Sequence, residues 1–183
     1  MVSISSELEE TPRGALISHH PHPRPTLRRI TAELVAVGLI GDAFGVLSLL
    51  VLGIALRLPL MPLAAFFLAM LAVPLLQLTV LHPHITVYEY GLWIKPLLWP
   101  GRWIGWEAVS RIENHTLIQH GKRTRWEQEH DGRLIVVNQG LPRLFEIVGI
   151  MAGLGRVRAF GISTHSHTNY PALLNSIQQH HQP

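Results

Sequence analysis

The side chains able to do chemistry in this chain are few, and their spacing works against catalysis. The 183 residues include no cysteine, which removes thiol nucleophiles, disulfides and Cys-based zinc sites. His165 and His167 alternate, so on an extended segment they point the same way and could share a metal. A metal site needs about three or four ligands, however, and no third lies near in sequence. His19, His20 and His22 form a looser cluster within a proline-rich stretch. Glu107, Glu113, Glu127, Glu129 and Asp131 read as solvent-facing strand or turn positions, with no nucleophile or paired acid beside them. The glycines of 149–155 follow a helical pattern and not a strand, the wrong context for dinucleotide binding. The expectation is a protein that is not an enzyme, with no cofactor and no metal.

Asp42 has the most unusual setting, because it interrupts an apolar run. Residues 34–56 and 60–81 are two such runs, separated only by Arg57, Leu58 and Pro59, and each is long enough to cross a bilayer as a helix. The mean hydropathy of +0.24 with only 15% charged residues comes almost wholly from this stretch, which predicts a membrane hairpin attached to a globular remainder. A turn this short makes the two helices antiparallel neighbours. Gly38, Gly41 and Gly45 share one face of the first helix, and Gly41 with Gly45 is a GxxxG match that lets another backbone approach closely, either the second span or a second copy of the chain. Asp42 lies on that face, about 12 Å below the first residue of its run.

A bare carboxylate at that depth costs several kcal/mol and calls for a proton or a partner. Pro74 cannot donate to the carbonyl of Met70, which leaves an acceptor in the second run. With the turn centred on Leu58, Asp42 stands level with Pro74, and Gln77 lies about one turn nearer the chain exit. This predicts a structural polar clamp, with an ion or proton pathway and contact with a partner subunit as the other readings. Neither run contains a histidine, which argues against haem or chlorophyll ligation there.

The flanks set the remaining expectations. Residues 1–29, rich in Pro and His, read as a disordered tail, residues 30–82 as the transmembrane hairpin and residues 84–181 as a separate domain. Arg24, Arg28 and Arg29 precede the first span while the turn carries Arg57 alone, so the positive-inside rule places both termini in the cytoplasm of a multi-pass inner-membrane protein. A pI near 9.8 accompanies a net charge of only +3 with the signs interspersed, which gives no basic stripe for nucleic acid. His82 and His84 read as interfacial linker residues, and Lys122, Arg123 and Arg125 as a solvated charged turn.

Beyond residue 84, short β-rich segments are expected at 85–94, 102–106, 109–119, 124–130, 133–138 and 157–163, with an Asp131-Gly132 hairpin turn. Leu144, Ile147, Val148, Met151 and Leu154 repeat at helical spacing. Asn169 and Pro171 open a terminal helix lined by Tyr170, Leu173, Leu174 and Ile177. The predicted class is α+β: a membrane hairpin, then antiparallel strands closed by a C-terminal helix.

Tyr88-Glu89-Tyr90-Gly91-Leu92 resembles the first strand and turn of bacterial PH-like domains carried on two-helix membrane anchors. Ile104-Gly105-Trp106-Glu107-Ala108-Val109 resembles their second strand and Trp-acid step. The resemblance covers residues 84–181 and implies a partly open antiparallel β-barrel. It also implies that the loop Lys95-Pro96-Leu97-Leu98-Trp99-Pro100-Gly101-Arg102 meets a membrane surface. Burial would suit Leu97, Leu98 and Trp99, and Coulomb attraction to anionic lipid would suit Lys95 and Arg102. The alternative is that this tip packs on the domain or on a partner protein. The expected role is a non-catalytic recognition or assembly module whose partners are the lipid bilayer and a protein or second copy at the glycine face. The alternative is a small accessory subunit of a larger transport or electron-transport complex.

Overall fold

The protein is described by a computed structural model covering residues 13–114 and 132–180. The expected strand at 124–130, the turn of Lys122, Arg123 and Arg125, and Asp131 lie outside the described residues. The class is α+β. Strand β1 (Leu16–His20) leads into helix α1 (Pro25–Ala55), then α2 (Leu60–Met70) and α3 (Ala72–Leu81). Strands β2 (His84–Tyr88), β3 (Gly91–Lys95), β4 (Arg102–Gly105), β5 (Val109–Asn114) and β6 (Gly132–Val137) follow. Helix α4 (Glu146–Met151), strand β7 (Arg158–Ser163) and helix α5 (Tyr170–His180) complete the chain.

The strands form two antiparallel sheets, ordered β1-β2-β3-β4 and β5-β6-β7, with no closed barrel among the described residues. They enclose one core. In β2 and β3, Ile85, Val87, Leu92 and Ile94 point inward at alternate positions, as the period of two in a half-buried strand requires. Leu134 and Ile135 of β6 and Phe160 and Ile162 of β7 meet them, and Phe145, Val148, Leu173 and Ile177 close the cluster. The expected face of α5 is observed in Tyr170, Leu173 and Ile177, which are buried. Asn169, expected to open this helix, directly precedes it with a left-handed φ of 51° that asparagine tolerates, and its carbonyl accepts from the Leu173 N–H at 3.2 Å.

Two differences from the sequence reading matter for function. The segment 85–94 is a hairpin and not one strand: β2 and β3 pair from His84↔Lys95 to Tyr88↔Gly91 around Glu89 and Tyr90. Gly91 is required there because a Cβ would strike the Ile104 carbonyl of β4. The second difference is β1, which lies in the stretch read as a disordered tail. It pairs antiparallel with β2 through His19↔Thr86 and His20↔Ile85, so residues 16–20 form the edge of the first sheet. Local composition favoured disorder, but a preformed edge strand supplies the backbone partners that an isolated five-residue segment lacks. The helical hairpin is therefore inserted between two neighbouring strands of a single sheet.

The hairpin itself is unlike a core element. Two helical stretches, Pro25–Ala55 and Leu60–Leu81, are long and apolar enough to cross a membrane, and only 6% and 17% of their most apolar windows are buried. Ile40, Phe44, Ile54 and Leu60 are each more than 70% exposed, an apolar surface far beyond what a water-facing helix carries. Helix α1 turns into α2 through a Schellman motif. The Leu58 N–H reaches the Gly53 carbonyl at 3.0 Å and the Arg57 N–H reaches the Ile54 carbonyl at 3.3 Å, with Arg57 at a left-handed φ of 53°. The second helix breaks at Leu71 between α2 and α3, as expected of a proline at position 74 that cannot bond the Met70 carbonyl.

Candidate functional site

The sequence pointed to two groups of residues, one inside the hairpin and one at the 95–102 loop. Within the hairpin, a Cβ on Gly38 would lie 3.3 Å from Leu75 Cδ1 and one on Gly45 only 2.8 Å from Leu68 Cδ2, whereas Gly41 faces open space. The close-packed pair is thus Gly38 with Gly45, about two helical turns apart, and not the adjacent GxxxG pair. Of the two partners expected for the Gly41–Gly45 face, the second span does not cover Gly41, because the crossing of the two helices brings Gly38 and Gly45 to it instead.

The contacts of Gly38 with Leu75 and Gly45 with Leu68 set a register in which Asp42 stands level with Leu71, at the break, and not with Pro74. The clamp is not formed. Asp42 Oδ1 is buried without a hydrogen-bond partner, and Gln77 makes no side-chain hydrogen bond among the described residues. Pro74 faces outward from α3.

The loop is placed more sharply. Its residues are held on the last turns of α3: the Leu97 N–H donates to the Thr79 carbonyl at 2.9 Å, and the Trp99 indole N–H donates to the Thr79 hydroxyl at 2.8 Å. Thr79 lies about 3 Å along the axis from the last residue of the helix. Trp99 remains 42% exposed and Leu98 38%, Leu97 is half-buried, and Lys95 and Arg102 are exposed. The tip packs on the end of the second helix and leaves Leu98 and Trp99 partly exposed. Between this loop and the 142–145 turn is a cleft of about 320 Å³, lined by Trp99, Pro100, Arg102, Leu144 and Phe145 among others.

The hairpin and the domain are packed together at their joint. Val80 of α3 has no exposed surface and belongs to the same core as Ile85, Leu92 and Phe160, so the helix ends inside the domain without a linker. Arg28 of α1 ties the first helix to the same place, donating from Nη1 to His84 Nδ1 at 3.0 Å and from Nη2 to the carbonyls of Lys95 and Pro96 at 3.0 and 3.2 Å. Since Nδ1 of His84 accepts, its hydrogen is on Nε2, which is buried and unpartnered. Burial, and then the nearby Arg28 charge, lower the His84 pKa to about 4.

His82 and His84, read as linker residues, are latches. His82 Nδ1 lies 3.1 Å from the Gly161 carbonyl of β7. His167 is buried beside it, with Nε2 donating to the Pro83 carbonyl at 2.8 Å and Nδ1 accepting from the Ser163 N–H at 3.3 Å. Its pKa is lowered to about 4, chiefly by burial. His165 is exposed, so the pair expected to share a face does not, because residues 164–166 form a turn and not a strand. Among the described residues no three metal-ligating side chains converge.

Thr79, Leu144 and Phe145 were not legible as site residues, and His167 was legible only as a candidate metal ligand. The one available signal was a lone hydroxyl near the end of an apolar run, since such a group needs a partner once buried. Compared with protein-family models, with curated proteins and with solved structures, the chain gives no match.

Proposed function

We propose that this protein is a two-pass, membrane-anchored recognition or assembly module without catalytic activity, its PH-like domain held against the bilayer surface by the hairpin. The observation that carries the reading is the packed joint. With Val80 in the domain core and Arg28 bonded to the 95–96 backbone, the Trp99 loop is fixed at the level where the second helix emerges. A binding surface fixed at that height meets lipid headgroups and neighbouring membrane proteins without an entropic search. Pairing of β1 with β2 requires the two flanks of the hairpin to lie on one side, and the arginines before α1 favour the cytoplasmic side of an inner membrane. Two sheets of four and three antiparallel strands with a C-terminal helix fit a PH-like domain whose first strand precedes the anchor. A second reading, an accessory subunit of a larger membrane complex, draws on the open face at Gly41 and the unpartnered Asp42 beside it.

The absence of cysteine makes a clean test possible. Single cysteines at Leu58→Cys and Ser166→Cys are exposed to an impermeant maleimide in intact cells and after lysis. The reading expects Leu58→Cys to label from outside and Ser166→Cys only after lysis. Equal labelling of both from outside would overturn the topology. Native purification in mild detergent then separates the roles: a monomer or homo-oligomer supports the module, and a stoichiometric complex with other chains supports the subunit.

A further inference from the structure

The cleft between the 96–102 loop and the 142–145 turn has a chemistry that a loop resting on a membrane does not need. Its walls are Trp99, Pro96, Pro100, Pro142, Leu144 and Phe145, all apolar in what they offer, because the indole N–H of Trp99 is already committed to Thr79. Arg102 is the one charged side chain on the lining, it is exposed, and among the described residues it has no ion pair. A ligand that satisfies these walls needs an apolar body and a single anionic end. Sugars and nucleotides are poor fits, since their many hydroxyl or amide groups would be left without partners.

The volume suits such a ligand. About 320 Å³ is enough for a segment of alkyl chain. The location agrees: both walls pack against α3, the 97–99 wall through Thr79 near its end.

We propose that this cleft is a binding site for a single-chain segment of an anionic amphiphile, with the alkyl chain against Trp99, Leu144 and Phe145 and the anionic group on the Arg102 guanidinium. Its placement at a bilayer surface rests on the membrane-anchored reading; its ligand chemistry does not. A membrane phospholipid lending one acyl chain and a free fatty acid share this chemistry, and the cleft recognises the shared part.

The test uses the full chain in nonionic detergent, titrated with amphiphiles carrying bromine on the chain, which quenches nearby tryptophan. All five tryptophans lie beyond residue 90, so the signal arises in the domain. A brominated fatty acid and a brominated phosphatidylglycerol are compared with brominated phosphatidylcholine. Saturable quenching by either anionic probe, at least tenfold stronger than by the zwitterionic lipid, is expected. The fatty acid acting alone would identify a free ligand, and the phosphatidylglycerol acting alone a bilayer lipid.

Arg102→Gln is expected to weaken binding about tenfold, Arg102→Lys to restore most of it, and Leu144→Phe to reduce it by filling the cleft. Unaltered circular dichroism shows that each variant is folded. Equal quenching by all three lipids, absence of saturation, or an Arg102→Gln variant that binds as the parent does would overturn the proposal. Should the cysteine labelling fail while these titrations succeed, the membrane reading falls and the site stands; the converse result leaves the anchor and removes the site.

Discussion

Replacing His167 with glutamine is expected to remove most of one proton's worth of acid sensitivity from this protein. His167 is 2% exposed, uses Nε2–H on the Pro83 carbonyl and receives the Ser163 N–H at Nδ1. The Nε2–H contact survives protonation, but the Nδ1 contact requires the neutral ring, because a second proton on Nδ1 would face the Ser163 N–H. His82, with its ring centroid 6.3 Å away, and His20 also oppose a charge there.

The pKa of about 4 in the folded chain lies below the ordinary 6.5, so between those values the unfolded state binds a proton that the folded state refuses. Stability therefore rises with pH across this window. The contribution is complete above pH 6.5 and is lost progressively as pH falls toward 4. Two and a half units at ~1.4 kcal/mol each amount to about 3 kcal/mol.

The assay is urea unfolding in dodecyl maltoside, followed by tryptophan emission at pH 7 and pH 4.5. The parent should lose about 2 kcal/mol more than His167→Gln between these conditions, the rest of the effect lying below pH 4.5. His84, also lowered to about 4 but less deeply buried, titrates in both proteins and cancels in the comparison. An identical pH dependence in parent and variant would refute the argument, because the fold would then tolerate the charged ring.

Two further expectations concern the hairpin. Gly45→Val places a side chain where even a Cβ lies 2.8 Å from Leu68 Cδ2 and should destabilise the helix pair by about 1–3 kcal/mol, while Gly41→Val, facing open space, should change it by less than about 0.5 kcal/mol. Unfolding in mixed detergent micelles measures both. If Gly41→Val instead abolishes a higher-order complex on native gels, that face belongs to a partner. Arg57→Gly relieves the left-handed φ of 53° at the turn and should raise hairpin stability by up to about 1 kcal/mol in the same titration; a loss would mean that the arginine side chain itself holds the turn.

Much of the architecture was legible because it depends on local pattern. Two unbroken apolar runs can only be long helices, and the break at Leu71 follows from the missing N–H of Pro74. The terminal helix, with Tyr170, Leu173 and Ile177 buried, follows from spacing alone. The helical pattern at 144–154 was legible only in part: Phe145 and Val148 turn inward, but Met151 is 54% exposed. A six-residue helix is too short for periodicity to fix which side its neighbours will cover.

What tertiary structure decided is everything that depends on contact across sequence distance. Composition read residues 1–29 as a tail, yet β1 is ordered by the edge of β2, more than sixty positions later. Within the hairpin the close glycine contacts are at Gly38 and Gly45 and not at Gly41, because helix crossing, and not spacing within one helix, selects which residues meet. Asp42 was visible as an anomaly, but its lack of a partner was not. The Trp99 loop was recognisable from an apolar tip between two cations. That its indole is bonded to Thr79, and that Leu144 and Phe145 complete a cleft behind it, follows only from folding residues 79, 99 and 145 to one place. The sequence by itself determined an apolar helical hairpin, long enough to cross a membrane, joined to an antiparallel domain; the packed joint between them is a product of long-range contacts, in which Val80 serves the helix and the core at once.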